Sequence, residues 1–118
     1  MESPSPAPAR KIYRVTELTR RIKAVLEGDI GAVWVEGEVS NARTYPSGHI
    51  YFTLKDEGAQ LSAVMFRGVA AASKTPVKDG AKLRVYGELS VYEQRGQYQL
   101  VVRRVEDAGQ GDLQRAFE

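Results

Sequence analysis

A chain of 118 residues with 42% hydrophobic residues and no cysteine is long enough to bury one core unaided, and it excludes disulfides and thiolate metal centres. Its formal charge of +2 is uneven: residues 105–118 hold Glu106, Asp107, Asp112 and Glu118 against Arg115 alone, a net of −3, which leaves +5 on residues 1–104. That excess suits an anionic partner without selecting one, and with no apolar run of membrane-span or signal-peptide form a cytoplasmic protein is expected.

Residues 1–12 open with Pro4, Pro6 and Pro8 among Ser and Ala, a composition that buries little surface and predicts a disordered tail. A helix is predicted from Thr16 as N-cap, with Leu18, Ile22, Val25 and Leu26 as its apolar stripe and Gly28 as its stop. After Gly31 the period changes to two. Val33, Val35 and Val39 alternate with Trp34, Glu36, Glu38 and Ser40, and Gly37 interrupts the apolar set. Trp34 should therefore face outward, where packing under the N-terminal helix is the expected role and base stacking the alternative.

Asn41 to Gly48 reads as a loop around Tyr45-Pro46-Ser47-Gly48. The strand that follows, His49 to Lys55, separates two chemistries: Ile50, Phe52 and Leu54 on one face, His49, Tyr51, Thr53 and Lys55 on the other. A ring, an imidazole, a hydroxyl and an ammonium on one solvent face suit a single nucleic-acid strand, whose bases stack on aromatics and whose phosphates pair with cations. A third strand, Gln60 to Arg67, leaves its inward face open, since Leu61, Ala63 and Met65 compete with Val64 and Phe66. An Ala-rich stretch from Gly68 to Lys74 suits a short helix. The fourth strand, Ala81 to Tyr92, carries Gly87 within its apolar set, and a Glu93–Gly96 turn returns the chain as a fifth strand, Gln97 to Arg104. A helix, three strands, a short helical connection and two strands, with two long strands bent at glycine, predict an all-β core: the five-stranded Greek-key barrel of the OB-fold with an added N-terminal helix.

Several runs in this order also resemble the N-terminal domain of the exodeoxyribonuclease VII large subunit. They include Val33-Trp34-Val35-Glu36-Gly37-Glu38-Val39-Ser40-Asn41, Ser47-Gly48-His49-Ile50-Tyr51-Phe52-Thr53-Leu54-Lys55-Asp56, Ala63-Val64-Met65-Phe66-Arg67-Gly68 and Val85-Tyr86-Gly87-Glu88-Leu89-Ser90-Val91-Tyr92-Glu93. Gly109-Gln110-Gly111-Asp112-Leu113 and Phe117-Glu118 are similar to the start of that family's linker. The resemblance spans about residues 13–118 and implies three parts: a tail at 1–12, an OB-fold domain at 13–106, and at 107–118 the start of a linker to a catalytic domain. It further implies single-stranded DNA as partner and the family's small subunit as a partner of the longer protein. The family's catalytic residues have no counterparts in this chain, so no cofactor is expected in it.

The expected DNA-contacting residues are Arg43, Tyr45, His49, Tyr51, Lys55, Phe66, Arg67, Tyr92 and Arg95. Tyr51, Phe66 and Tyr92 are the candidate stacking platforms, against the plainer role of an aromatic that pairs across the sheet. The cations are each as readily solvated side chains unless they converge on one side of the barrel. With a single histidine and no cysteine, neither a metal site nor a nucleophile, base and orienting group is legible. A protein-docking OB domain is the rival reading, and salt dependence separates the two.

Overall fold

A computed structural model describes residues 8–109 of the chain. The first seven residues of the expected tail and residues 110–118 of the expected linker lie outside them. The N-terminal helix α1, Val15–Val25, begins after Arg14, not Thr16. The Arg14 N–H donates to Glu17 Oε1 at 3.1 Å, a bond that satisfies one of the donors a helix start leaves open. Nor does Gly28 stop the helix. The chain continues as one π-helical turn, Leu26–Ile30, and ends at Gly31, whose φ of 65° only glycine adopts without strain.

Five strands follow: β1 Ala32–Thr44, β2 Ile50–Lys55, β3 Gln60–Met65, β4 Lys82–Tyr92 and β5 Gln97–Asp107. They close as a barrel in the order β1-β2-β3-β5-β4. All pairings are antiparallel except β3 with β5, where Ala63 faces Leu100 and Val64 faces Val101. The interior is filled by Val39, Phe52, Leu54, Ala63, Met65, Leu83, Val85, Leu100 and Val102. Ala63 and Met65 thus settle the open face of β3. Val64, 1% exposed, lies on the outer side with its neighbours Tyr51 and Val101. The short helix α2, Arg67–Ala72, follows β3, and Val69, Ala70 and Val77 pack on one end of the core.

Two bulges set the outer surface. In β1 the register moves from Ser40 opposite Thr53 to Arg43 opposite Tyr51, which gives β1 one extra residue, with Asn41 at φ 53°. Val39 and Ala42 both pack inward as a result, so Arg43 emerges on the outside. The stretch expected as a loop from Asn41 is therefore strand as far as Thr44. In the β4–β5 pair Tyr86 faces Arg104 but Gly87 faces Val102, so Arg103 is the extra residue. A Cβ on Gly87 would stand 2.2 Å from the Val101 carbonyl oxygen, so only glycine allows this approach. β5 also outruns its expected end at Arg104: exposed Asp107 pairs with Leu83 and Ala108 is 1% exposed, so the first two residues of the expected linker belong to the barrel, one by pairing and one by packing.

Trp34 does face outward, but it does not pack as expected beneath α1. The helix and its π turn lie against β4. Trp34 remains 51% exposed, with its ring 5.3 Å from that of Tyr86 directly across the ladder.

Candidate nucleic-acid interface

The β1–β2 connection is short and rigid. The Tyr45 N–H donates to the His49 carbonyl at 2.9 Å and the Gly48 N–H to the Tyr45 carbonyl at 2.8 Å, with Gly48 at φ 90°. Tyr45 sets its ring edge-on to Tyr51, centroids 5.2 Å apart, an arrangement that matches the ring quadrupoles. The ladder places Arg43 directly opposite Tyr51 on the same face. An aromatic plane, a second ring at its edge and a guanidinium beside it thus share one patch.

His49 ties this loop to the end of β3. Its Nδ1 accepts the Arg67 N–H at 2.8 Å, and its ring meets Phe66 edge-on at 5.4 Å. A Cβ on Gly48 would approach the Arg67 Cγ to 2.8 Å, so the Arg67 stem lies against the loop backbone. Phe66 is the residue before α2, not a strand residue, and is 41% exposed. It is therefore an outward ring and not core.

The β4–β5 hairpin supplies the opposite wall. Tyr92 pairs with Gln97, and its carbonyl accepts the N–H groups of Arg95 and Gly96 at 3.1 and 2.9 Å. The Arg95 guanidinium lies 5.8 Å from the Tyr92 ring centre, within cation–π range. Between this hairpin and the β1–β2 loop opens a cleft of about 560 Å³ that brings together Tyr45, His49, Tyr51, Tyr92, Arg95 and Tyr98, with no carboxylate in its lining. Tyr98 is 56% exposed and was missed from the sequence. Its place two residues after the glycine of a turn already carrying Tyr92 and Arg95 is the signal that points to it.

Lys55 is not brought to this cleft. It lies four residues beyond Tyr51 on β2, roughly 13 Å along a strand, opposite Glu38. There it borders a different cleft, in which it and Lys82 face the four carboxylates of Glu36, Glu38, Asp56 and Glu57. Lys55 thus sits among carboxylates, surroundings that oppose phosphate. Of the nine expected contact residues, Tyr45, His49, Tyr51, Tyr92 and Arg95 line one cleft; Arg43 flanks it beside Tyr51, and Phe66 and Arg67 flank it beside His49. Among the described residues no three His, Asp or Glu side chains converge as metal ligands, and no helix is long and apolar enough to cross a membrane.

A closed five-stranded barrel with aromatic rings and cations gathered between its first and last hairpins is an OB-fold with the features of a nucleic-acid-binding domain. Residues 13–106 match the family described as the OB-fold nucleic acid binding domain, and the chain belongs to that family. It is similar to the exodeoxyribonuclease 7 large subunits of Geobacter metallireducens, at 53% identity over 93% of this chain and 24% of the relative, and of Pseudoalteromonas atlantica, at 47% over 100% of this chain and 26% of the relative. The chain thus spans about a quarter of the length of these curated relatives. Its fold resembles part of the Pyrococcus horikoshii asparaginyl-tRNA synthetase (TM-score 0.56, 18% identity, 75% of this chain and 21% of that one). It also resembles a chain of a replication protein A heterotrimer bound to single-stranded DNA (TM-score 0.53, 10% identity, 65% of this chain and 57% of that one).

Proposed function

We propose that this chain holds a single DNA strand between the β1–β2 loop and the β4–β5 hairpin, as the strand-binding module of an exodeoxyribonuclease VII large subunit. The observation that carries this reading is the carboxylate-free cleft lined by four tyrosines and Arg95, with Arg43 beside Tyr51. Rings accept any base face and cations accept any phosphate, so such a site tolerates sequence and tracks the backbone. In this reading the strand is presented to a nuclease domain of the longer protein, where the phosphodiester chemistry and the small-subunit contacts reside, and this chain needs no cofactor. A second reading, docking on another protein, rests on the outward Trp34 and on Leu18, Ile22 and Val25 of α1, each about half exposed.

Titrating a fluorescent single strand with the 118-residue chain at two salt concentrations separates these. The strand-binding reading expects binding at low salt and a slope of log K on log salt of about −0.7 per phosphate contact. Absence of binding at low salt sinks that reading in favour of docking.

A further inference from the structure

Strict alternation along β5 would send Arg103 and Arg104 to opposite faces, one of them into the barrel. The bulge prevents this. Val102 is fully buried and Val105 packs against the core, so both intervening arginines emerge on the outside. They open onto a cleft of about 440 Å³ between β5 and α2, completed by Lys74 on the segment after the helix. Three cations and no carboxylate line it. The turn that carries Lys74 is held by Ser73, whose Oγ donates to the Thr75 carbonyl at 3.1 Å and accepts the Thr75 N–H at 3.4 Å.

This cleft and the tyrosine cleft both border β5, at different points along the strand. A groove lined by Phe66, Gln99, Val101 and Arg103 lies between them, sharing Gln99 with the tyrosine cleft and Arg103 with the cationic one. From Gln97 to Arg103 the track runs roughly 20 Å along β5. Two carboxylates also line the groove: Glu88 is paired with Arg103 at 3.3 Å, while Glu27, whose Oε2 accepts the Ser90 hydroxyl at 3.4 Å, keeps its charge on the side of the π-helical turn, opposite the β5 cations. The Arg103–Glu88 pair is about half exposed on both sides, so exchanging the carboxylate for a phosphate costs little.

We propose that the β5–α2 cleft is a second, phosphate-binding part of the nucleic-acid site, in which Arg103, Arg104 and Lys74 grip the backbone of the same single strand after it has passed Phe66. This rests on the strand-binding reading and extends the path beyond the two hairpins. The phosphodiester backbone is the occupant that fits, because the cleft offers cations without a stacking ring while the rings lie upstream.

The test uses fluorescent oligothymidylates of about 4 and about 12 nucleotides, both within the footprints of single OB-folds, with the wild-type chain and a variant carrying Lys74→Ala, Arg103→Ala and Arg104→Ala. The wild type should bind the long strand more tightly. The variant should melt like the wild type and bind the short strand equally well, yet lose on the order of tenfold affinity for the long strand, with a salt slope shallower by about 2 for the three lost contacts. Equal affinity of wild type and variant for the long strand overturns the proposal, as does an equal loss on both lengths, which would report general attraction and not a distal contact. If the wild type binds neither length, the strand-binding reading falls and the extension with it; if it binds both lengths and the variant changes nothing, only the extension falls.

Discussion

Tyr51 is 39% exposed and Phe66 41%, and neither ring is needed to fill the barrel, whose interior belongs to Phe52, Met65 and their neighbours. Tyr51→Ala and Phe66→Ala are accordingly expected to weaken single-strand binding by about 1–3 kcal/mol each, the cost of a lost stacking platform. A buried phenylalanine would instead cost roughly 3–5 kcal/mol of stability on truncation. Thermal melting alongside a binding titration distinguishes the two: a folded variant with wild-type affinity removes that ring from the site. His49, besides lining the cleft, positions others, since its Nδ1 holds the Arg67 N–H and its edge holds Phe66. That role, a positioning one, was invisible from a lone histidine in the sequence.

At the scale of elements, the two bulges decide which cations reach the surface. Each leaves an extra residue in one strand of a pair, which reverses the alternation downstream. The β4–β5 bulge depends on Gly87, whose missing Cβ makes room for the Val101 carbonyl. Gly87→Ala should destabilise the fold by about 1–3 kcal/mol, toward the upper end because the obstructing atom is backbone. Gly28→Ala serves as the control, because nothing lies within 4 Å of that position and its φ is not positive. There the change should be neutral or stabilising by up to about 1 kcal/mol. A Gly87→Ala protein that melts with the wild type would refute the close-approach account of the bulge. The helix α1 lies against β4; its ion pairs Arg20–Glu93 and Lys23–Glu93, at 3.8 and 3.9 Å and partly exposed, add little energy to that placement.

For the whole molecule, the distribution of charge and rings argues for single strands over duplex. The rings reach bases only where those bases are unstacked, and a duplex keeps its own stacked. A hairpin duplex of the same length and charge is expected to bind at least on the order of tenfold more weakly than a single strand at equal salt. Competition titration measures this directly, and equal affinity would reduce the site to a general basic surface. Charge alone would attract either form: two clefts without carboxylates border β5, and a cleft with four carboxylates and two lysines lies where Lys55, Lys82 and Ala108 meet.

The order of elements, the glycine at the β4 irregularity, Gly87, and the two-faced strand around Tyr51 were legible from residues alone, because period-two alternation and turn chemistry are local properties, whereas the β1 irregularity falls at Asn41 and Ala42 and not at Gly37. Locality also bounded what could be read. The inward face of β3 stayed open, since Ala63-Val64-Met65-Phe66 is apolar on both sides; the barrel buries Ala63 and Met65, while Val64 is covered on the outer surface. Arg43, read as a loop residue, became a strand residue facing Tyr51, and Arg103 and Arg104 went unremarked, because a bulge is a mismatch between two strands and neither strand's sequence contains it. Lys55 shared a face with Tyr51 in the sequence and still lies apart from the cleft, because distance along a strand and the carboxylates of neighbouring elements appear only once the sheet is closed. Alternation within each strand assigns the outward residues wherever it is unbroken; pairing between strands sets where it breaks, and with that which cations gather beside which rings.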